Sequence, residues 1–357
     1  MSKDFSSKLL RWQEENPRHL PWKVSKNPYY IWLSEIILQQ TRVEQGTPYY
    51  LKFITNYPKV SDLANAPEQQ VLKDWEGLGY YSRARNLHAS AKYIHNELND
   101  QFPQSYEEII KLKGVGSYTA AAIASFAYDL PHAVVDGNVY RVLSRIFGIH
   151  LPIDSTEGKK FFQNKADELL PMDQAAAFNQ AIMNFGATHC KPKLPLCSNC
   201  PFAEHCVAYN EDIISELPKK KNKLSKKARH FNYLVYTDSE SIKIIERKSK
   251  DIWQNLFEFP MLETKAPVAE EQLKELLTNK KLLQEEIGIT YIDGGKQTLS
   301  HQIIHAKFFK IELKTSNSPF NIEGSEFVSF RDLTTFAFPV VIREFIERNI
   351  YQGSILL

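Results

Sequence analysis

Leu112-Lys113-Gly114-Val115-Gly116-Ser117-Tyr118-Thr119-Ala120, followed after an alanine-rich run by Val135-Asp136-Gly137-Asn138-Val139-Tyr140-Arg141, is the stretch on which the reading of this chain turns. Gly-Val-Gly ahead of a helix start makes a tight turn whose backbone N–H groups can face an anion. The helix it opens is predicted over about residues 117–128, where Ala120, Ala121, Ala122 and Ala124 allow close packing of a second helix. The combination predicts a helix-hairpin-helix that grips a DNA phosphate at Gly114 and Gly116 without reading bases. A lone Gly-Val-Gly is more often an ordinary helix-joining turn. Here Asp136 follows it, at the end of the apolar run Ala133-Val134-Val135. A carboxylate in that place either caps the helix predicted over 139–146 or does chemistry, and the two roles are compatible.

A chain of 357 residues is long enough for two ordinary domains, each with a core. The net charge of +2 says little about a partner, but Lys219, Lys220, Lys221, Lys223, Lys226, Lys227 and Arg229 crowd one short stretch. That run reads as a linker over 218–229, solvated or tracking phosphates. No apolar run is long enough for a membrane span and the N-terminus lacks a signal-peptide core, so a cytoplasmic protein with no membrane partner is expected. In that compartment four clustered cysteines are not expected to form disulfides.

Upstream, Phe5 to Glu15 reads as an amphipathic helix, and the prolines of Asn16-Pro17-Arg18-His19-Leu20-Pro21-Trp22 make a loop. One helix is predicted over 28–45. Ile31, Trp32, Leu33, Ile36, Ile37 and Leu38 make it apolar on more than one side, with Glu35 in their midst. That Glu is either half-exposed or a desolvated acid with a raised pKa, poised to donate a proton. Trp75-Glu76-Gly77-Leu78-Gly79-Tyr80-Tyr81-Ser82-Arg83 joins a two-glycine turn to aromatic stacking surfaces and a phosphate-seeking cation, although a core tyrosine pair would look the same. Another helix is predicted over 173–186. It leads into Cys190, Cys197, Cys200 and Cys206, spaced C-x6-C-x2-C-x5-C, for which zinc is the default reading of clustered thiolates.

Leu33-Ser34-Glu35-Ile36-Ile37-Leu38-Gln39-Gln40-Thr41 is very similar to the Ser-Glu-x-x-Leu-Gln-Gln-Thr motif of the MutY family of adenine DNA glycosylases, within the helix-hairpin-helix glycosylase superfamily. The resemblance implies that Glu35 is the catalytic acid, that Asp136 stabilises the sugar cation, and that Tyr118 and Asn138 orient the groups. It also implies that Leu38, Gln39 and Gln40 enter the DNA helix and that Arg18, Leu20 and Trp22 line an adenine pocket. Lys23 follows where some relatives have Arg. Tyr80 would wedge beside the opposing base, and Gln180 would contact adenine. By the same resemblance the four cysteines hold a [4Fe–4S] cluster that closes the catalytic domain.

After His230 the pattern turns to strands, at 231–236, 242–245, about 298–304 and 306–313, with helices at about 268–286 and 339–348. The fold expected is a mainly α helix-hairpin-helix glycosylase domain with an iron–sulfur cluster over 1–217, the basic linker, and an α+β Nudix-like domain over 230–357. Glu285-Glu286-Ile287-Gly288-Ile289 echoes the end of a Nudix box, but Leu282 and Pro267 stand where its Glu and opening Gly would be. Binding rather than hydrolysis is therefore expected. Ser300-His301 matches the family's lesion-reading loop, with Leu299 in place of its Phe. The implied function is monofunctional removal of adenine mispaired with 8-oxoguanine, and less well with guanine, in double-stranded DNA by a monomer. An endonuclease III-like lyase would need a Lys where Tyr118 stands. A non-catalytic DNA-binding protein would have no use for Glu35 and Asp136 together.

Overall fold

The computed structural model describes residues 2–221, 225–237, 240–280, 288–312 and 322–352. The chain forms two compact units: Met1–Asn65 with Asn86–Lys223, and Ala66–Arg85 with Leu224–Leu357. Among the described residues no helix is long and apolar enough to cross a membrane.

The first unit is helical. Its main elements are α1 (Ser2–Glu15), α2 (Pro28–Leu38), α3 (Val43–Asn56), α4 (Ser117–Tyr128), α5 (Gly137–Phe147) and α6 (Ala175–Asn184). Pro28 opens α2 and Asn27 caps it, its Oδ1 accepting from the Tyr29 N–H at 2.9 Å. α2 packs on α4, whose Ala120, Ala122 and Ala124 are fully buried, as their lack of bulk requires. Phe5, Leu9 and Trp12 of α1 share a core with Val139, Val142 and Leu143 of α5 and Phe178 and Ile182 of α6. Each large apolar side chain buried there contributes about 1.5–3 kcal/mol. Packing of this kind, more than intrinsic propensity, holds α5 in place.

The helix predicted over 28–45 is two helices. α2 ends at Leu38, Gln39 turns, and Gln40 takes a left-handed φ of 56° before α3 begins at Val43. The reversal lets Leu38 fold onto Gly46, where a Cβ would lie 2.8 Å from Leu38 Cδ2. Likewise the helix predicted to run to 186 stops at Asn184, and a wide π turn, Phe185–His189, carries the chain to Cys190.

The second unit is one mixed sheet of β1 (Lys227–Thr237), β2 (Ser241–Glu246), β3 (Phe257–Glu258), β4 (Met261–Thr264), β5 (Ile289–Thr298), β6 (Gln302–Glu312) and β7 (Ser325–Ser329). Its order is β3-β2-β1-β6-β5, with β4 also on β1 and β7 on β2; β1 and β6 run parallel and the other pairs antiparallel. One face carries Tyr233 and Phe308 beneath Phe345 of α8 (Val340–Ile346), the Phe308 and Phe345 rings stacked at 4.1 Å. The other carries Leu234, Tyr236 and Phe309 beneath Leu273 and Leu277 of α7 (Glu270–Asn279). Cover on both faces explains why residues 231–237 of β1 are buried at every position rather than at alternate ones. The Ala66–Arg85 segment is tied into this unit: Lys73 Nζ donates to the Phe336 carbonyl at 2.9 Å, the Phe338 N–H to Glu76 Oε1 at 2.9 Å, and Arg85 Nη1 to the Gln254 carbonyl at 2.7 Å.

Three expectations change here. The strand predicted over 298–304 is interrupted by a hairpin tip, with Thr298 ending β5 and residues 302–304 opening β6: Thr298 pairs with Ile303, the Leu299 N–H donates to the Gln302 carbonyl at 2.8 Å, and Ser300-His301 lie between. The last residues of the predicted linker are already β1, and Arg229 is locked between Asp251 (2.8 Å) and Glu263 (2.7 Å) rather than belonging to a solvated run. The helix predicted over 268–286 ends at Asn279 in α7. Residues 281–287, with Leu282 and the Glu285-Glu286-Ile287 part of the Nudix echo, lie outside the described residues.

Candidate active site

Glu35 sits midway along α2, only 9 % exposed, flanked by buried Trp32, Ile36 and Ile37. Burial pushes its carboxyl up to about 7. The Tyr118 hydroxyl donates to it and draws the value down, and the nearby Asp136 charge raises it again. Tyr118 lies one residue inside α4, and burial together with the Glu35 and Asp136 charges holds its hydroxyl protonated. Asp136 is the N-cap of α5: Oδ1 accepts the Asn138 and Val139 N–H groups, each at 2.8 Å, and Oδ2 accepts Asn138 Nδ2 at 2.7 Å. Burial still leaves the Asp136 carboxyl above its ordinary value. The structure thus gathers Glu35, Tyr118, Asp136 and Asn138 from three helices into one place.

Sequence reasoning missed what holds Asn138. Arg141, one turn further along α5, donates from Nη2 to Asn138 Oδ1 at 2.9 Å and to the Gly186 carbonyl at 2.7 Å, and from Nε to the Cys190 carbonyl at 2.8 Å. Gly186 is needed beside it, since a Cβ there would lie 2.6 Å from Asn138 Cβ. Arg145, one turn on again, donates to the Lys191 carbonyl at 2.7 Å and points Nη1 at Cys190 Sγ at 3.6 Å. Two arginines four residues apart on one helix, each beside buried apolar neighbours, were the available signal.

The loop bearing Arg18, Leu20 and Trp22 is fixed by Trp22, which meets Tyr50 edge-to-face at 5.5 Å. Lys23 Nζ donates to the Arg18 carbonyl at 3.5 Å and to Asn184 Oδ1 at 3.1 Å, and Gln180 Nε2 approaches the same oxygen at 3.4 Å. Burial and the Arg18 charge bring the Lys23 ammonium down to about 8. Leu38 and Gln39 are half-buried and Gln40 is exposed at the α2–α3 break, with Gln39 Nε2 donating to Thr119 Oγ1 at 3.1 Å. Gly114 needs its left-handed φ of 81°, and a Cβ on it would strike Asn86 at 2.7 Å; Gly116 faces open space. No side chain caps the α4 N-terminus, so the first N–H groups of the helix are open to a ligand.

In the second unit, Tyr80 stands at a left-handed φ of 48° and its hydroxyl hydrogen-bonds Ser300 Oγ. Both line a cavity of about 540 Å³, with Trp253, Leu299, His301 and Arg85. Back in the first unit, Cys190, Cys197, Cys200 and Cys206 are free thiols around one small cavity that Arg145 also lines. Among the described residues no three His, Cys, Asp or Glu stand as a ready single-ion site. One tetrahedral zinc would draw four sulfurs to about 3.8 Å of one another. Four thiols lining one shared cavity are a donor set whose chemistry fits a thiolate-bound metal group, an iron–sulfur cluster included.

Residues 33–171 match the HhH-GPD superfamily of base excision DNA repair proteins, and residues 232–348 match the NUDIX domain. The chain is 38% identical to an adenine DNA glycosylase of Buchnera aphidicola over 72% of its own length and 73% of that protein's. It is 42% identical to the adenine DNA glycosylase of Mus musculus over 57% of this chain and 42% of that one. A solved thermostable thymine-DNA glycosylase superposes on 59% of this chain and 97% of its own with a TM-score of 0.55 and 30% identity. With a helical repair domain followed by a Nudix-like α+β domain, and with that coverage of its relatives, the chain belongs to the adenine DNA glycosylase family.

Proposed function

We propose that this enzyme removes adenine from duplex DNA where it is mispaired with 8-oxoguanine, and less well opposite guanine, and that it leaves the strand uncut. The observation that carries the reading is Glu35, a buried carboxyl with a value near 7, hydrogen-bonded by Tyr118 and set beside Asp136. Adenine inside a duplex is out of reach, so the nucleotide must turn out into the pocket. Glu35, whose value near 7 leaves a large share of the molecules protonated at neutral pH, gives its proton to adenine N7, which weakens the N-glycosidic bond. Bond cleavage leaves oxocarbenium character on the sugar, and the Asp136 carboxylate stabilises it. Asn138, fixed by Arg141, keeps that carboxylate aimed. Glu35, now ionised, then takes a proton from the attacking water, the two-carboxylate logic of glycoside hydrolysis.

The open α4 N-terminus after Gly116 supports phosphate binding at the hairpin. Tyr80 and Ser300 at one cavity support reading of the base opposite the adenine. A Tyr hydroxyl at 118 cannot form the Schiff base of a lyase. The test is single-turnover cleavage of duplexes carrying adenine opposite 8-oxoguanine or guanine, resolved with and without alkali. Wild type should release adenine faster opposite 8-oxoguanine and yield strand breaks only after alkali. Ser300→Ala should narrow the preference for 8-oxoguanine about tenfold, the scale of one lost hydrogen bond. Strand scission without alkali, or thymine-glycol release in place of adenine, overturns the assignment.

The four cysteines would hold a [4Fe–4S] cluster that pins the loop from Cys190 to Cys206 and, through the Cys190 carbonyl and Arg141, steadies Asn138. Protein purified without oxygen should be brown and contain about four irons per chain, as thiolate-bound cubes do. Colourless protein with one zinc per chain would refute this.

A further inference from the structure

Lys23, Asn184 and Gln180 form a relay in which each hydrogen-bonding choice dictates the next. An ammonium only donates. The Asn184 atom that faces Lys23 Nζ at 3.1 Å must therefore be the carbonyl oxygen. Asn184 Nδ2 is then turned the other way, and it donates to Gln13 Oε1 at 2.7 Å. Asn184 is 2 % exposed, so water does not compete for these positions. The same Oδ1 meets Gln180, one helical turn back on α6, at 3.4 Å. An oxygen that can only accept obliges Gln180 to present its Nε2 there. Gln180 Oε1 is the group left over, and among the described residues it has no partner.

We infer that Asn184, set by Lys23, is a specificity-determining residue: it fixes the Gln180 amide so that an acceptor faces the extruded base. The inference rests on the reading of Gln180 as a contact to adenine. A fixed acceptor complements the exocyclic 6-amino group of adenine. It opposes the 6-oxo group of hypoxanthine or guanine, which would set two acceptors against each other. A free glutamine has no such preference, because a half-turn of its amide exchanges donor for acceptor. The selectivity of the pocket is thus written two residues away from the base.

The experiment measures single-turnover release of adenine and of hypoxanthine from otherwise identical duplexes, both opposite 8-oxoguanine, and reads the ratio of the two rates. Asn184→Leu removes the acceptor and Lys23→Met removes the donor that orients it; each should lower the ratio about tenfold, the scale of one hydrogen-bond preference. Asn184→Asp keeps an oxygen for both neighbours and should keep the ratio. Melting curves accompany each variant. A merely structural role would lower the melting temperature and leave the ratio at the wild-type value in both Asn184→Leu and Lys23→Met, and that result overturns the relay. Gln180→Leu separates the levels: a wild-type ratio in that variant overturns the adenine-contact reading itself, whereas a lowered ratio there with no change in the other two refutes the relay alone.

Discussion

Glu35→Gln should bind the mispair as the wild type does and release adenine about a thousandfold more slowly, the loss expected when a positioned general acid is removed. An amide fits the same space but has no proton to give. Wild-type excision should fall as pH rises through about 7, where the buried carboxyl ionises. The same substitution carries a signature in stability. The folded-state value lies above the ordinary 4.5, so folding favours the protonated form. The stability is fully present below about 4.5 and is lost as pH climbs through about 7. At pH 8 the wild type holds a buried charge that costs ~3 kcal/mol. The Gln variant holds none, so in denaturant titrations it should be the more stable protein at pH 8 and match the wild type near pH 4. Undiminished single-turnover excision removes Glu35 from the mechanism, and equal stability at pH 8 would mean that its carboxyl is solvated.

Asp136→Asn should lose at least about a hundredfold in excision per folded molecule, the usual cost of deleting a charge that stabilises a transition state. Its fold should survive, since an Asn oxygen caps a helix as well as an Asp oxygen and can still take the Asn138 and Val139 N–H groups. The new amide nitrogen, however, would face the Asn138 Nδ2 that now donates to Oδ2. Asn138 cannot turn over to relieve this, because the Arg141 guanidinium claims its oxygen. The variant therefore loses both the charge and the alignment. Thermal melts beside active-site titration decide the matter: full activity in the folded fraction would leave Asp136 with its capping role alone.

Local chemistry made much of this chain legible. Gly116 ahead of Ser117, and Asp129 in a left-handed conformation after Tyr128, bound α4 where the sequence predicts it. Glu35 stood out because its neighbours are apolar. What stayed hidden depended on partners remote in sequence. Residues 289–298 look too polar and too glycine-rich for a strand, yet Gly295 lies under Val341, where a Cβ would come within 2.9 Å of its Cγ2, so bulk is excluded there. Arg141 and Arg145 are buried because carbonyls from residues 186–192 converge on them, partners that no local pattern shows. Asn184 is one polar residue on a helix until Lys23 arrives from the far end of the unit's sequence. The break after Leu38 is equally silent, because it serves the packing of Leu38 on Gly46.

The tight seat of Asn138 against Gly186 bears on how the enzyme tolerates genetic change. No group of Gly186 meets the base in the mechanism proposed, so a catalogue of substrate contacts would class it as dispensable. A single added methyl there must push the start of α5, and with it the carboxylate that caps α5. Inherited or selected variation at this position should therefore pass for an active-site lesion in a repair screen: the protein accumulates and binds DNA, and mutations arise as though the carboxylate itself had been lost.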